Sequence, residues 1–451
     1  MLISSGHRQT LVAAFVAWKS ILLLLLIGSS LGGPPYDTST TLISQRALGF
    51  NESVLDLPSK LTRWDAIYFI QNARRGYLFE QEWAFGAGMP ILISSVIRVP
   101  TLRPSSHRLG TSSLLSHDKT VLSRAANGNL LRAYALLTHP TCYRCLCCIV
   151  SGLKIGKDPK ISFVAALLHI VSPAGVFLSA PYQESPFALL SFLGYFLLAH
   201  GCLGPSRSIR KDAAIVGSGI VFGLATLFRS NGLLSGVTFA AFALAEFRGL
   251  VTTSLGFVSL RRLAAFGMGG ISVSMGSLVP QTLAYKTYCT EPSVEALRPW
   301  CLKTLPSIYT FVQEKYWNVG PFRYWTPGNI PLFLLSAPVL FLMMRSGLET
   351  LLPQREVAYV GKLGVHQLPP GTSLFLAAMA LSQVMLTTLA ITTYHIQIIT
   401  RIASGYPLWY WWLAGQLGHS TTSKFGGGVV VFMVMYASIQ GALFASFLPP
   451  A

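Results

Sequence analysis

Eleven apolar runs divide the chain, at residues 11–31, 85–100, 161–180, 187–203, 213–228, 233–247, 263–285, 331–344, 374–394, 402–417 and 429–447. A helix crossing the bilayer core needs about 20 apolar residues, and most of these runs approach that length. The run at 85–100 is short and glycine-rich. Lys19 interrupts the first run, where its aliphatic stem can carry the charge toward an interface. No small-x-small cleavage pattern stands at Gly33-Pro34-Pro35, so the first run is read as an uncleaved span. The pattern predicts an all-α polytopic membrane protein with about eleven transmembrane helices.

Composition agrees: with 52% apolar and 11% charged residues, the polar surface cannot cover a soluble globule. The net charge of +18 comes from short basic clusters between apolar runs. A nucleic-acid binder would gather them into one stripe, so the expected partner is the membrane, with no nucleic acid. Read by the positive-inside rule, His7 and Arg8 place the N-terminus in the cytoplasm. The same side receives Arg207, Arg210, Lys211, Arg248, Arg261, Arg262, Arg345, Arg355, Lys362 and Lys424. It also receives an atypical basic segment at 101–160. The carboxylates Asp65, Glu80, Glu82, Glu184, Glu291, Glu295 and Glu314 then fall on the far, lumenal side. Asn51-Glu52-Ser53 matches the glycosylation acceptor pattern and fits that placement.

Seven cysteines in 451 residues do not make a disulfide framework. Cys142, Cys145, Cys147 and Cys148 lack a second ligand pair at zinc-finger spacing, which favours membrane-facing or lipidated thiols over a metal site.

Candidate chemistry collects on the lumenal side. Residues 62–90 carry Asp65, Glu80 and Glu82 beside Trp64, Tyr68, Tyr77 and Trp83, in a chain with only 16 acids. Acid beside aromatic is a common way to hold a sugar, although Trp and Tyr also simply anchor loops at bilayer interfaces. The connection at 179–186 holds Tyr182 and Glu184, and a carboxylate at membrane depth costs about 2.5–3.5 kcal/mol. Glu184 is therefore either at the mouth of a span or functional. Arg229 and Asn231 follow the run at 213–228, and a guanidinium there suits a phosphate or anchors the interface. The lumenal loop at 286–329 is long enough to be functional and contains Trp317, Asn318 and Arg323. It also contains Cys289 and Cys301, a candidate disulfide in an oxidising compartment. His395 ends another span, where a lone histidine is more often structural than catalytic.

No P-loop, dinucleotide glycine fingerprint, HExxH or GxSxG is present, so the corresponding soluble chemistries lack support. No internal repeat supports an inverted-repeat transporter.

Several longer stretches carry a resemblance. RWDAIYF at 63–69, FEQEWAF at 79–85, SAPYQESPFALLSF at 179–192, ATLFRSNGL at 225–233, PSIYTFVQEKYWNVGPFRYW at 306–325, PLFLLSAPVLF at 331–341 and HIQIITRI at 395–402 resemble, collinearly, the PIG-V family of GPI mannosyltransferases in its fungal form. At 101–160, where that family would carry further membrane helices, this chain is polar and basic. The resemblance implies one GT-C type helical bundle over residues 1–451, in the endoplasmic reticulum membrane, with a lumenal active site that uses the first lumenal loop at 32–84. It implies transfer of the second mannose, α-1,6-linked and with inversion, from dolichol-phosphate-mannose to the GPI precursor lipid. No cofactor beyond the donor, no metal, and a small membrane accessory subunit are expected with it. Inversion requires a base, for which Asp65 is the first candidate, with Glu80 and Glu82 as sugar-positioning groups or alternative bases. Arg229, and with it Arg63, Arg323 or His395, would meet the leaving phosphate. Trp64, Tyr182, Glu184, Asn231, Trp317 and Asn318 complete the expected substrate contacts. A lipid transporter or scramblase, or a non-catalytic subunit of a membrane complex, would share the spans, the aromatic belt and Glu184.

Overall fold

Where the apolar runs predict spans, the chain forms helices, and the runs that stop short of a span frame a cavity. The structure, a computed structural model, describes residues 5–29, 36, 37, 39, 60–98, 158–252, 256–290, 298–352, 371–418 and 422–448. The acceptor pattern at 51–53, the four cysteines at 142–148, Glu291, Glu295, Arg355, Lys362 and nearly all of 101–160 lie outside the described residues. In chain order the helices are α1 (Ser5–Ser29), α2 (Asp65–Arg75), α3 (Gly88–Arg98), α4 (Pro159–Ile170), α5 (Glu184–Cys202), α6 (Ile209–Phe228), α7 (Gly236–Thr252), α8 (Phe257–Cys289), α9 (Ile308–Trp317), α10 (Ile330–Leu351), α11 (Thr372–Thr392), α12 (Ile399–Ile402), α13 (Pro407–Leu417) and α14 (Ser423–Ala445).

Among the described residues, eight helices are long and apolar enough to cross a membrane: α1, α5, α6, α7, α8, α10, α11 and α14. The expected eleven are not reproduced. The run at 85–100 gives α3, of 11 residues; that at 161–180 gives α4, of 12; that at 402–417 gives α13, of 11. Helices of that length reach only about 17 Å. Backbone chemistry explains the shortfall. Pro173 cannot continue α4, Gly175 takes φ +44°, and Pro407 opens α13 at its first turn after a break. Large apolar side chains such as Ile220, Leu244, Ile271, Leu334 and Met435 are exposed on the long helices. That is the expected surface of a multi-pass membrane protein.

Close backbone packing sets the centre. α6 lies between α5 and α8, and its Gly219 and Gly223 form a small-xxx-small pair of the kind that lets membrane helices touch. A Cβ at Gly219 would strike the backbone of Gly269, and one at Gly223 the carbonyl of Ser272. At the start of α6, Asp212 meets Arg261 at 2.6 Å and Arg262 at 3.5 Å, while Arg262 also reaches Glu246 at 3.2 Å. This cluster pins α6, α7 and α8 at the end opposite Arg229. Lys19 turns inward, contrary to the snorkelling expectation, and donates to the Ser179 hydroxyl at 2.5 Å.

Two further features position the cavity. In α13, Trp409, Tyr410, Trp411 and Trp412 are all fully buried, as a helix apolar all round should be. Tyr410 Oη donates to Ser172 Oγ at 2.8 Å and Trp412 Nε1 to Glu349 Oε2 at 2.9 Å. At 33 residues, α8 is about 50 Å long, longer than the roughly 30 Å hydrocarbon core. Its far end carries Cys289, disulfide-bonded to Cys301, and a small separate core of Ala284, Trp300, Ile308 and Val312.

Replacing Gly223 by Val forces apart two backbones in contact. We expect a loss of about 1–3 kcal/mol, read as a lowered unfolding midpoint in detergent, whereas Gly217→Val, whose Cβ meets nothing within 4 Å, leaves the midpoint in place. Equal effects from both would contradict the packing.

Candidate active site

A cavity of about 470 Å³ opens between the start of α2, the turn at Glu80–Phe85, the 177–183 connection, the α6–α7 turn, α8, α9 and the 394–402 stretch. Its geometry starts at Trp64, which holds φ +52°, a conformation that costs a non-glycine residue of order 1–3 kcal/mol. That twist starts α2 at Asp65 and turns the carboxylate into the cavity, where its side chain is 38% exposed. Among the described residues, Asp65 is the one carboxylate in the cavity wall.

Beside it runs a chain of charges. Asp65 Oδ2 lies 3.5 Å from Arg401 Nη1, Arg401 Nε lies 3.4 Å from Glu184 Oε1, and Arg229 Nη1 donates to the same Glu184 oxygen at 2.7 Å. Glu184 is fully buried and stands behind the wall, while Arg229 and Arg401 are part of it. The Arg401 guanidinium is seated 4.7 Å from the Phe177 ring centre and 5.6 Å from that of Tyr182. Tyr182 also lines the cavity, and its hydroxyl donates to the Arg63 carbonyl at 2.9 Å.

The other acids of the first loop face elsewhere. Glu82 accepts from Arg75 at 2.5 Å and from the Leu78 N–H at 2.8 Å and the Phe79 N–H at 3.2 Å. Burial opposes its charge, yet the Arg75 guanidinium and the two N–H groups hold its carboxyl below the ordinary value. Glu80 accepts from Trp300 Nε1 at 3.0 Å and faces Arg298 at 3.6 Å. Both tie the turn to its neighbours, and neither lines the cavity.

The remaining expected residues divide. Trp64, Tyr182, Arg229, Asn231, Trp317 and His395 line the cavity; Arg63, Glu184, Asn318 and Arg323 do not. Arg63 is buried with its guanidinium 4.8 Å from the Phe447 ring centre. Asn318 caps α9 in the left-handed conformation, and Arg323 pairs with Glu314 at 3.0 Å on the surface. His395 Nε2 donates to the Trp317 carbonyl at 2.9 Å, and its ring stacks on Tyr324. Asn231 Nδ2 donates to Tyr406 Oη at 3.3 Å. Arg401 and Gln281, which sequence reasoning did not single out, also line the cavity, together with Tyr309 and Gln313 from the long loop. A signal for Arg401 was present: it is a basic residue on the side that the charge rule leaves to acids.

Comparison of the sequence with known proteins places the chain in a family. The sequence model described as Mannosyltransferase (PIG-V) matches residues 8–451. The chain belongs to the PIG-V mannosyltransferase family. Among similar PIG-V relatives, GPI mannosyltransferase 2 of Chaetomium globosum is 44% identical, over 98% of this chain and 96% of its own length. Those of Gibberella zeae and Aspergillus oryzae are 42% and 39% identical, again over 98% of this chain and over 97% and 96% of their own lengths. Among solved structures, the oligosaccharyltransferase of Archaeoglobus fulgidus superposes with a TM-score of 0.37 at 11% identity, covering 98% of this chain and 56% of that one.

Because Glu82 has a lowered folded value, its contribution to stability is complete above its unfolded pKa of about 4.3. It is lost as pH falls through the folded value. With Arg75 partly exposed, Glu82→Gln should therefore cost about 1.5–3 kcal/mol near neutral pH and flatten the acid limb of the unfolding midpoint measured against pH. A variant as acid-sensitive as the parent protein would refute this role.

Proposed function

We propose that this PIG-V family member is an inverting mannosyltransferase of the endoplasmic reticulum. In this reading it moves mannose from dolichol-phosphate-mannose to the GPI precursor, adding the second, α-1,6-linked residue from the lumenal face. The observation that carries the reading is Asp65, the single cavity carboxylate among the described residues, set beside two arginines. The acceptor hydroxyl attacks the sugar C1 from the face opposite the phosphate, and its proton passes to Asp65. The bond from C1 to the phosphate oxygen breaks with its electron pair left on that oxygen. Arg229 and Arg401 supply positive charge where the phosphate gains negative charge, so the reading calls for neither metal nor cofactor beyond the lipid donor.

Shape and placement support it. A cavity of this volume suits a sugar and a headgroup, and Trp317 and Trp83 offer apolar faces to a sugar ring. The α8 segment that lines it, Gly276 to Gln281, has Leu278 and Val279 exposed on its outer surface, with Met275 exposed just before it, so the acyl and polyprenyl chains have adjoining lipid to occupy. The cavity lies at the end of α8 that carries the Cys289–Cys301 disulfide, which suits an oxidising lumen. The opposite end holds the arginine cluster at 207, 261 and 262.

The test uses cells lacking their own second mannosyltransferase, given this chain or its Asp65→Asn form at matched expression. The native chain should clear the one-mannose GPI intermediate, and Asp65→Asn should slow transfer by at least about a hundredfold. Clearance by the Asn form would remove Asp65 as the base, and no clearance by either would remove the activity assignment.

A further inference from the structure

Arg229 and Arg401 share one partner but are held differently. Arg229 makes a tight hydrogen bond of 2.7 Å to Glu184 Oε1, whereas the charge contacts of Arg401, to Glu184 at 3.4 Å and to Asp65 at 3.5 Å, are both long. Among the described residues no side-chain hydrogen bond satisfies the guanidinium of Arg401, although its side chain is only 15% exposed and two aromatic rings fix its position. A guanidinium carries five donors, and buried donors are ordinarily bonded. Arg401 is thus a seated cation with donors to spare, in a cavity wall, touching the base. Glu184 has no exposure and cannot reach a substrate; it is a positioning residue that fixes both arginines from behind.

The charges of this group change in one direction during transfer. With Asp65 ionised, the two arginines and two carboxylates sum to zero; once Asp65 takes the acceptor proton, the group carries one net positive charge. Over the same step the donor phosphodiester, with one negative charge, becomes a monoester with a second. We propose that Arg401 couples these two events: it pairs with Asp65 before transfer and with the leaving phosphate after it, so that protonation of the base releases a cation to the leaving group. The inference rests on the reading of Asp65 as base and of the donor as a lipid phosphate.

It predicts an effect that a merely structural arginine would not produce. Binding of the product headgroup, dolichyl monophosphate, is measured calorimetrically on the purified full chain in detergent at constant pH. Asp65→Asn, which frees Arg401, should bind it about fivefold tighter than the parent protein. Arg401→Gln should bind about tenfold weaker, and the double variant should show no gain over Arg401→Gln. Arg401→Lys, which keeps the charge, should recover most of the binding and so separates lost charge from lost fold. A gain from Asp65→Asn that persists in the Arg401→Gln background, or no gain at all, overturns the coupling while leaving the transferase reading intact. Absence of binding to the parent protein overturns the donor reading and the coupling together.

Discussion

A carboxylate with no exposure at the mouth of a membrane span survives only if cations are brought to it, and Glu184 imposes that constraint on much of the structure. Breaking such a buried pair costs roughly 3–5 kcal/mol. The chain meets the need from two distant places: the end of α6 delivers Arg229, and the four-residue α12 delivers Arg401. Glu184 also sits in the first turn of α5, where the helix dipole favours negative charge. One buried acid thus fixes the meeting point of α5, α6 and α12, and the cavity opens where they meet.

The same meeting point accounts for the runs that do not span. Irregular backbone is tolerated at membrane depth only where it is buried in protein or lines a wet cavity. Here the irregular pieces, 171–183 and 393–406 with its single turn of α12, border the cavity or pack beneath it. The aromatic block of α13 fills the space under the second of these pieces, and Trp409 Nε1 closes the break by donating to the Ala403 carbonyl at 3.0 Å. Shortened helices are therefore the means by which polar backbone and charged side chains reach the site without meeting lipid.

Much of this was legible in the sequence because charge is scarce in an apolar chain. Asp65 stood out as one of three scarce acids set among aromatics, Arg229 as a charge at a run end, and both line the cavity. The same reasoning could not separate Asp65 from Glu80 and Glu82, since all three share loop, neighbours and side of the membrane. Their directions are decided by tertiary partners, Trp300 for Glu80 and Arg75 for Glu82, that spacing does not reveal. Arg63 lies two residues before Asp65, yet it does not line the cavity and packs instead against the Phe447 ring. Arg401 stands at the edge of an apolar run as Arg229 does, and its charge on the side left to acids was the signal passed over. The count of eleven treated apolar length as continuous helix; the prolines and Gly175 that break those runs were visible, but their effect depends on whether a cavity exists to receive the broken backbone.

Asp65 and Arg401 are held by one structure, which bears on how far they can move relative to each other. Phe447, just beyond α14, packs its ring 5.0 Å from Trp64 and under Arg63, bracing the strained residue from which Asp65 projects. Phe444, one turn earlier, packs edge-on against Phe177 and Tyr182, the two rings that seat Arg401. Tyr182 then closes the circuit through its hydrogen bond to the Arg63 carbonyl. A displacement of α14 would shift both groups together. Asp65 and Arg401 are therefore held near 3.5 Å by a common buttress, a separation at which a carboxylate and a guanidinium feel one another's charge yet leave the guanidinium's hydrogen bonds open to a third group.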